Sequence, residues 1–296
     1  MTRTRSRNTS RAGFTLIELL VVIAIIAILV SLTAAAVMKV LLKIPEIQTR
    51  TEISQEDAAL ADFMSTYSLS VPPPSYLLLR EDGAYNLSNP PEAATVNFLK
   101  QCFGKNFAWN SPTIDWNGNG VIDKNRVLQL QGQHCLVFYL GGIPTSPTST
   151  PGCLGFSTSP INPAQPGGSR RGPFFEFKNN RLVRDPSNGF FVYIDAWKVK
   201  ASPKPYAYFS TQGVQNGYNP YTSSAGGDCA SIGASPYLDG FNTATKTPIY
   251  TFNTKYQIIS AGQDGAFGSG VWTSGAALSG RDDQANFART ILGAGQ

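Results

Sequence analysis

The feature that most constrains this chain is an uncharged stretch of twenty residues near its N-terminus, at positions 19–38. At 1.5 Å per residue, a helix of this length spans about 30 Å, the thickness of the hydrocarbon core of a bilayer. Neither Pro nor Gly interrupts residues 14–44, and a continuous helix satisfies its own backbone hydrogen bonds in lipid. The sequence therefore predicts one membrane-spanning helix.

The charges on either side of this stretch predict its orientation. Lys39 and Lys43 follow it, and four arginines precede it: Arg3, Arg5, Arg7 and Arg11. By the positive-inside rule the N-terminus stays in the cytoplasm and the long C-terminal part is exported. We therefore expect a single pass of the inner membrane, with the C-terminal head in the periplasm.

The basic residues do not indicate nucleic-acid binding. The net charge is +5, but without the four N-terminal arginines, 20 Lys and Arg face 19 Asp and Glu. The rest of the sequence has no basic stripe with interleaved aromatic residues. With 42% apolar and 15% charged residues, the chain is also too apolar to be intrinsically disordered. We expect a folded exported part and no nucleic-acid partner.

Three interpretations of the apolar segment compete, and Glu18 distinguishes them. A secretory signal cleaved near positions 34–36 has a shorter apolar region, of about 7 to 15 residues. A plain single-pass anchor leaves Glu18 unexplained, because a carboxylate costs about 2.5–3.5 kcal/mol at mid-bilayer. Cleavage between Gly13 and Phe14 would instead place a new α-amine four residues before Glu18, and the amine of a neighbouring copy would neutralise it. If Glu18 instead lies at the depth of the lipid headgroups, its carboxylate needs no such partner.

Residues 11–20 read RAGFTLIELL and resemble the class III leader junction of type IV pilins and type II secretion pseudopilins. The resemblance implies that a prepilin peptidase cleaves after Gly13 and methylates the amine of Phe14. It also implies that Glu18 pairs with the Phe14 amine of an adjacent subunit in a homopolymer filament. An inner-membrane assembly platform and a cytoplasmic ATPase are the further partners that the resemblance implies.

The chain divides into four predicted segments. Residues 1–13 form a basic leader, 14–43 a transmembrane and assembly helix, 44–71 an amphipathic stem helix, and 72–296 an exported β-rich head. Apolar residues recur at helical spacing in the stem, with Glu52 and Glu56 assigned to other faces. We expect Pro45 to kink or interrupt the helix, and the three prolines at 72–74 to follow its end.

The head has short β-strand signals separated by turns, and we predict an α+β fold in which the long N-terminal helix packs on a small antiparallel sheet with long loops. A short helix is expected at 90–103 and a hairpin turn at 178–181. Residues 143–172 and 211–247 are interpreted as surface insertions. The strand candidates are residues 135–140, 174–177, 190–194, 206–209 and 256–260.

Three stretches of the head, at 193–208, 256–265 and 282–287, are similar to elements of the major pseudopilins of type II secretion. Ala196 replaces the proline of that family, and seven additional residues precede Pro205. In that family the loop between the last two elements binds calcium, so the resemblance implies a calcium loop at 260–287. The implied ligands are the side chains of Asp264, Asp282 and Asp283, with the carbonyl of Ser260.

A second calcium-like pattern is independent of that family. Residues 115–123 match positions 1, 3, 5, 6 and 9 of an EF-hand loop, but Arg126 stands where position 12 requires a bidentate acid. A turn without metal explains the same residues. The candidate ligands are Asp115, Asn117, Asn119 and Asp123.

Four cysteines lie in the exported part, where disulfides persist, and we favour two bridges over free buried thiols. They are Cys102, Cys135, Cys153 and Cys229. The single histidine, His134, adjoins Cys135 in a predicted strand, so the two side chains would point to opposite faces and would not cooperate in catalysis. Nucleophile, phosphate-loop and dinucleotide motifs are absent from the sequence.

The sequence therefore favours a non-enzymatic filament subunit, a type II secretion pseudopilin whose polymerisation drives protein export. A minor or adhesive type IV pilin is the alternative of the same class. A membrane-tethered exported enzyme or binding module is the alternative of a different class.

Overall fold

The computed structural model describes residues 14–197, 203–219, 227–268 and 280–292. The chain forms two compact units, Met1–Ile44 and Pro45–Gln296. The predicted leader, including Gly13, lies outside the described residues.

The first helix, α1, runs over Leu16–Thr66 and ends before the three prolines, as predicted. Pro45 lies inside this helix and does not interrupt it; a kink at Pro45, the other predicted outcome, stays a prediction. A proline removes the hydrogen bond that its own N–H would donate and crowds the preceding turn, yet α1 is helical on both sides of Pro45. The stem helix ends at Thr66 rather than at position 71.

Within the described residues, the head combines two further α-helices with short antiparallel strands, which confirms the α+β prediction. The elements after α1 are β1 (Leu77–Leu79), α2 (Pro90–Phe103), β2 (Leu128–Leu130), α3 (Gly132–Gly141), β3 (Phe156–Ser157), β4 (Arg170–Arg171), β5 (Leu182–Arg184), β6 (Phe191–Tyr193), β7 (Ala207–Ser210), β8 (Leu238–Phe241), β9 (Pro248–Tyr250), β10 (Tyr256–Ser260) and β11 (Gln284–Ala285). In the described residues, β11, β10 and β7 form a three-stranded sheet, and the other strands pair as two-stranded sheets: β1 with β2, β3 with β4, β5 with β6 and β8 with β9.

The sheet formed by β7, β10 and β11 separates two hydrophobic clusters. Tyr208 and Ile258 pack in the cluster that contains Leu60 and Phe63 of the stem. Phe209 and other residues from the opposite face pack in a second cluster with Tyr237. Because side chains alternate between the faces of a strand, the central strand β10 and the edge strand β7 are buried on both faces over most of their length.

Residues 135–140 are the clearest error in the predicted strands, since they lie in helix α3. Every residue of α3 is buried, so its apolar run lacks the periodicity that distinguishes a helix from a buried strand. Gln131 and His134 form a capping box at its start, and Gly142 follows its end with a φ of 80°.

Of the other helices, strands and turns predicted in the head, some are confirmed and some are wrong. The bounds of α2 and β10 agree with the predicted 90–103 and 256–260, and β6 and β7 overlap their predicted ranges. Residues 174–177 are not a strand, because Phe174 and Phe175 donate their N–H groups only to the Leu140 carbonyl. Residues 179–181 form a 3-10 turn that precedes β5, so the turn of the β5–β6 hairpin lies further along the chain.

Candidate functional sites

The N-terminal helix presents an apolar surface. Leu16–Ala34 is the one segment of the described chain that is long and apolar enough to cross a membrane, and it is not buried inside the structure. Phe14, the residue after the predicted cleavage point, is 81% exposed. This surface is therefore available to lipid or to other helices.

Glu18 is held by Thr15 at the start of α1. The backbone N–H and the hydroxyl of Thr15 donate to Glu18 Oε2, at 2.8 and 2.7 Å. The Glu18 N–H donates in turn to the Thr15 hydroxyl, at 3.3 Å. This reciprocal arrangement is a capping box, and the spacing Thr-x-x-Glu could have revealed it in the sequence. Both bonds end on Oε2, so Oε1 accepts no hydrogen bond from the described residues.

Glu52 joins the stem to the head. Arg181 donates to Glu52 Oε1, and Lys178 Nζ lies 3.2 Å from the same oxygen. The Tyr206 hydroxyl donates to Oε2 at 2.9 Å. Burial disfavours the charged carboxylate, but the hydrogen bonds from Arg181 and Gln48 outweigh it and lower the pKa of Glu52. The stem is therefore attached to the head by a buried ion pair.

Glu56, one turn further along the stem, has a different environment. Its side chain is fully buried, and neither carboxylate oxygen has a hydrogen-bond partner among the described residues. Burial, followed by the charge of Glu52, raises its pKa well above the usual range. Assigning Glu52 and Glu56 to faces outside the apolar stripe was wrong, because spacings of four and seven residues place Glu56 beside Leu60 and Phe63.

Asp195 completes this acidic cluster and links it to the sheet. The Ser260 hydroxyl donates to Asp195 Oδ2 at 2.6 Å, and the Trp197 N–H donates to Oδ1 at 3.1 Å. Burial raises the pKa of Asp195 to about 7. Ser260, predicted to offer a carbonyl to calcium, thus uses its side chain to bind Asp195.

The three carboxylates of the predicted calcium loop have different partners. The Asp264 N–H donates to Asp282 Oδ2 at 2.8 Å. Asp283 is buried, and its carboxylate accepts hydrogen bonds from the Tyr237 hydroxyl and from the Gly268 N–H. Burial is the main reason that the pKa of Asp283 rises to about 7, and the charges of Asp282 and Asp264 add to it.

Two observations bear on whether this loop fits a cation. Asp283 Oδ1 is buried without a partner among the described residues, and a cation would offset the repulsion between neighbouring carboxylates. Among the same residues, however, no three His, Cys, Asp or Glu side chains are grouped so that they could hold a metal ion together. Residues 269–279 of the loop lie outside the described residues. Calcium binding here stays a prediction.

The EF-hand-like loop is ordered by bonds within the protein. Asp115 accepts the N–H groups of Asn119 and Gly120, at 3.1 and 2.7 Å. Gly120 has a φ of 82°, in the left-handed region that favours glycine. Arg126 Nη1 donates to Asp123 Oδ2 at 2.9 Å. Arg126, at the position of the missing ligand, therefore neutralises a carboxylate of the loop.

Glu81 contributes to this loop, and the sequence analysis did not identify it. Its two oxygens accept the N–H groups of Asn117 and Asp123, at 3.2 and 2.8 Å. Burial raises the pKa of Glu81 to about 7, against the lowering effect of these two bonds. Whether the loop binds calcium stays a prediction.

All four cysteines are free in the structure, in disagreement with the two predicted bridges. Cys102 and Cys135 belong to the first hydrophobic cluster, and Cys229 belongs to the second. The Cys135 and Cys229 thiols face the backbone carbonyls of Leu130 and Tyr208. Burial raises the pKa of the Cys153 thiol to about 12 and acts in the same direction on the other three. These thiols are poor nucleophiles.

His134 lies on α3 rather than on a strand. Its Nε2 lies 3.0 Å from Asp185 Oδ2, and its Nδ1 accepts the Gln131 N–H at 3.3 Å. The hydrogen bond to His134 is the main reason that the pKa of Asp185 is lowered. His134 therefore pairs with a carboxylate 51 positions away, and the neighbouring Cys135 makes a separate contact.

Comparison with known proteins gives one match, at the N-terminus. Residues 8–34 match the family described as the prokaryotic N-terminal methylation motif. The match covers the predicted cleavage point, Glu18 and the apolar segment Leu16–Ala34. No curated protein and no solved structure matches the chain.

This motif is the prepilin signal of type IV pilin-like proteins, and in general it implies processing by a prepilin peptidase and assembly into filaments. An apolar helix near the N-terminus, followed in the sequence by small antiparallel sheets, is consistent with a pilin-like fold. The motif at residues 8–34 therefore indicates a precursor of the type IV pilin-like or pseudopilin kind.

Proposed function

We propose that the mature chain is a structural subunit of a type II secretion pseudopilus or of a type IV pilus-like filament. The observation that carries this proposal is the position of the methylation motif, which leads directly into an exposed apolar helix with one carboxylate near its start. The subunit acts by assembly rather than by turnover, and the movement of the filament exports protein. Leader cleavage, an inner-membrane platform and a cytoplasmic ATPase belong to the same proposal.

The proposed assembly contact forms between Glu18 and the α-amine of Phe14 in a neighbouring copy. Thr15 fixes one carboxylate oxygen, and Oε1 has no partner among the described residues. In hydrocarbon, an ion pair between two copies is more favourable than an isolated carboxylate. The exposed apolar side chains around it then pack between helices as the filament grows.

Replacement of Glu18 tests this proposal. We expect Glu18→Ala to leave membrane insertion and leader cleavage intact and to abolish incorporation into filaments when it is the only copy expressed. Ser31→Ala changes a polar side chain of the same helix, whose hydroxyl donates to the Ile28 carbonyl one turn earlier, and serves as the control. Electron microscopy and immunoblotting of sheared filaments give the readout. Normal filaments from Glu18→Ala would contradict the assembly contact.

We further propose that calcium stabilises the loop at 260–287, with oxygens of Asp264 and Asp282 as the accessible ligands. The unpartnered Asp283 Oδ1 and the repulsion between these carboxylates support a cation. Asp283 also anchors the loop through Tyr237. The ion would order a segment that is rich in Gly and poor in large apolar residues.

A further inference from the structure

The head contains a cavity of about 470 Å³ that none of the sites above uses. It lies between the N-terminal half of α2, the end of β2 and the loops at 210–219 and 227–230. Its volume falls within the range of about 300–1,000 Å³ that is typical of small-molecule sites. Its polar lining includes Tyr76, Gln129, Gln212, Asn219 and Asp228.

Asp228 provides a fixed hydrogen-bond acceptor in the wall of this cavity. It is only 6% exposed. The Ser75 hydroxyl donates to one of its carboxylate oxygens, and Asn219 Nδ2 donates to the other at 2.8 Å. Its backbone carbonyl accepts the Gly132 N–H at 2.6 Å. The carboxylate is therefore held by neutral donors and keeps further lone pairs for a ligand.

Three other polar side chains of the cavity remain available. Gln129 and Gln212 are exposed, and neither amide makes a hydrogen bond to the described residues. The Tyr76 ring is partly buried, and its hydroxyl has no hydrogen bond to the same residues. A side-chain amide can both donate and accept hydrogen bonds, and so can a phenol hydroxyl. These three side chains therefore match a ligand whose own groups, such as hydroxyls, also donate and accept hydrogen bonds.

The remaining lining restricts the charge of the ligand. None of the described residues that line the cavity is Lys or Arg, and Asp228 is the one acid among them. An anionic ligand would therefore meet a carboxylate and no cation. Pro74, Pro91 and Ala94 add apolar surface to the lining, and this combination suits a molecule that has both C–H faces and hydroxyl groups.

We propose that this cavity binds a neutral carbohydrate of one or two sugar rings. The hydroxyl groups of the sugar bond to Asp228, Gln129 and Gln212, and a C–H face packs on Tyr76. A glycan-binding site on the exported head is independent of filament assembly, so either conclusion can fail without the other.

The test uses the full chain in phospholipid nanodiscs, which avoids detergents with sugar headgroups. Saturation-transfer NMR and titration measure binding of glucose, galactose, N-acetylglucosamine, lactose and cellobiose. We expect saturable binding of at least one, and binding about tenfold weaker for Tyr76→Ala and for Gln212→Ala, since tenfold in Kd is about 1.4 kcal/mol, close to the net contribution of one hydrogen bond. Gln101→Ala, an exposed glutamine of α2 outside the cavity, should leave Kd unchanged.

Several outcomes would overturn the proposal. The first is that none of the five sugars binds saturably. The second is that Gln101→Ala weakens binding as much as the cavity variants do. The third is that both cavity variants keep the wild-type Kd and the wild-type melting temperature. Tighter binding of glucose 6-phosphate than of glucose would also overturn it, because the lining predicts the reverse. If Tyr76→Ala fails to fold, the exposed Gln212→Ala variant decides the question alone.

Discussion

Arg181, from the turn before β5, donates to the carboxylate of Glu52 on the stem helix, 129 positions earlier in the chain. Arg181 also donates to the Tyr193 hydroxyl and lies with its guanidinium 4.4 Å from the centre of the Tyr193 ring. One side chain therefore binds the stem, the 3-10 turn and strand β6 together.

Loss of this ion pair is expected to destabilise the head strongly. Removal of one member of a buried pair costs about 3–5 kcal/mol, because the other charge stays buried. Glu52→Ala and Arg181→Ala should each lower the free energy of unfolding by about this amount, as measured by urea denaturation. Lys178→Ala is the control, since Lys178 is 54% exposed and an exposed pair contributes about 1 kcal/mol or less. A small effect of Arg181→Ala would contradict the proposed attachment of the stem.

Glu56 is expected to make the stability of the head depend on pH. Burial and the charge of Glu52 raise its pKa in the folded state, so the folded protein binds a proton that the unfolded chain releases near pH 4.5. The stabilising contribution is complete below this pH and is lost as the pH rises through the raised pKa. Arg181 opposes this shift, and Asp195 adds to it.

Glu56→Gln removes this titration, and urea midpoints between pH 4.5 and 9 measure the effect. We expect a smaller fall of stability with rising pH than in the wild type, and greater stability than wild type at the alkaline end. Asp62→Asn, at an exposed position of the same helix, should leave the pH dependence unchanged. A slope equal to that of the wild type in Glu56→Gln would show that Glu56 is charged in the folded state.

Removal of calcium is expected to lower the melting temperature of the full chain if the loop at 260–287 holds the ion. Chelation should lower it by several degrees, since about 1 kcal/mol corresponds to about 2–4 °C for a protein of this size. Asp264→Ala should have a lower melting temperature and no response to chelator. Asp239→Ala, in the β8–β9 hairpin, should retain the response. A melting temperature insensitive to chelator would remove the calcium proposal.

The structure could be predicted from the sequence where the signal lies in a short run of consecutive residues. The motif at residues 8–34 and the helix α2 are both continuous in sequence, and each was recognised from consecutive residues. Helix α3 was mistaken for a strand, because complete burial removes the amphipathic period. Its capping box pairs Gln131 with His134, whose residue types differ from the Ser/Thr and Glu/Gln that usually mark such a start in a sequence.

The contacts that join distant segments could not be predicted in the same way. Glu52 meets Arg181, and Glu81 reaches Asn117 across 36 positions, only after the chain has folded. No local pattern specifies which cation or N–H group a carboxylate will meet. The spacing of Glu52 and Glu56 relative to Leu60 and Phe63 could have placed both acids on the apolar face, where they require partners or a proton, but they were predicted to lie on other faces.

The mass of the mature chain tests the central claim most directly. The chain would be purified from membranes and from sheared filaments, and its intact mass and N-terminal sequence determined. The account predicts a polypeptide that begins at Phe14 and carries one methyl group on its α-amine, in both fractions. A chain that retains its leader, or one that begins at Val37 after conventional signal cleavage, would contradict it.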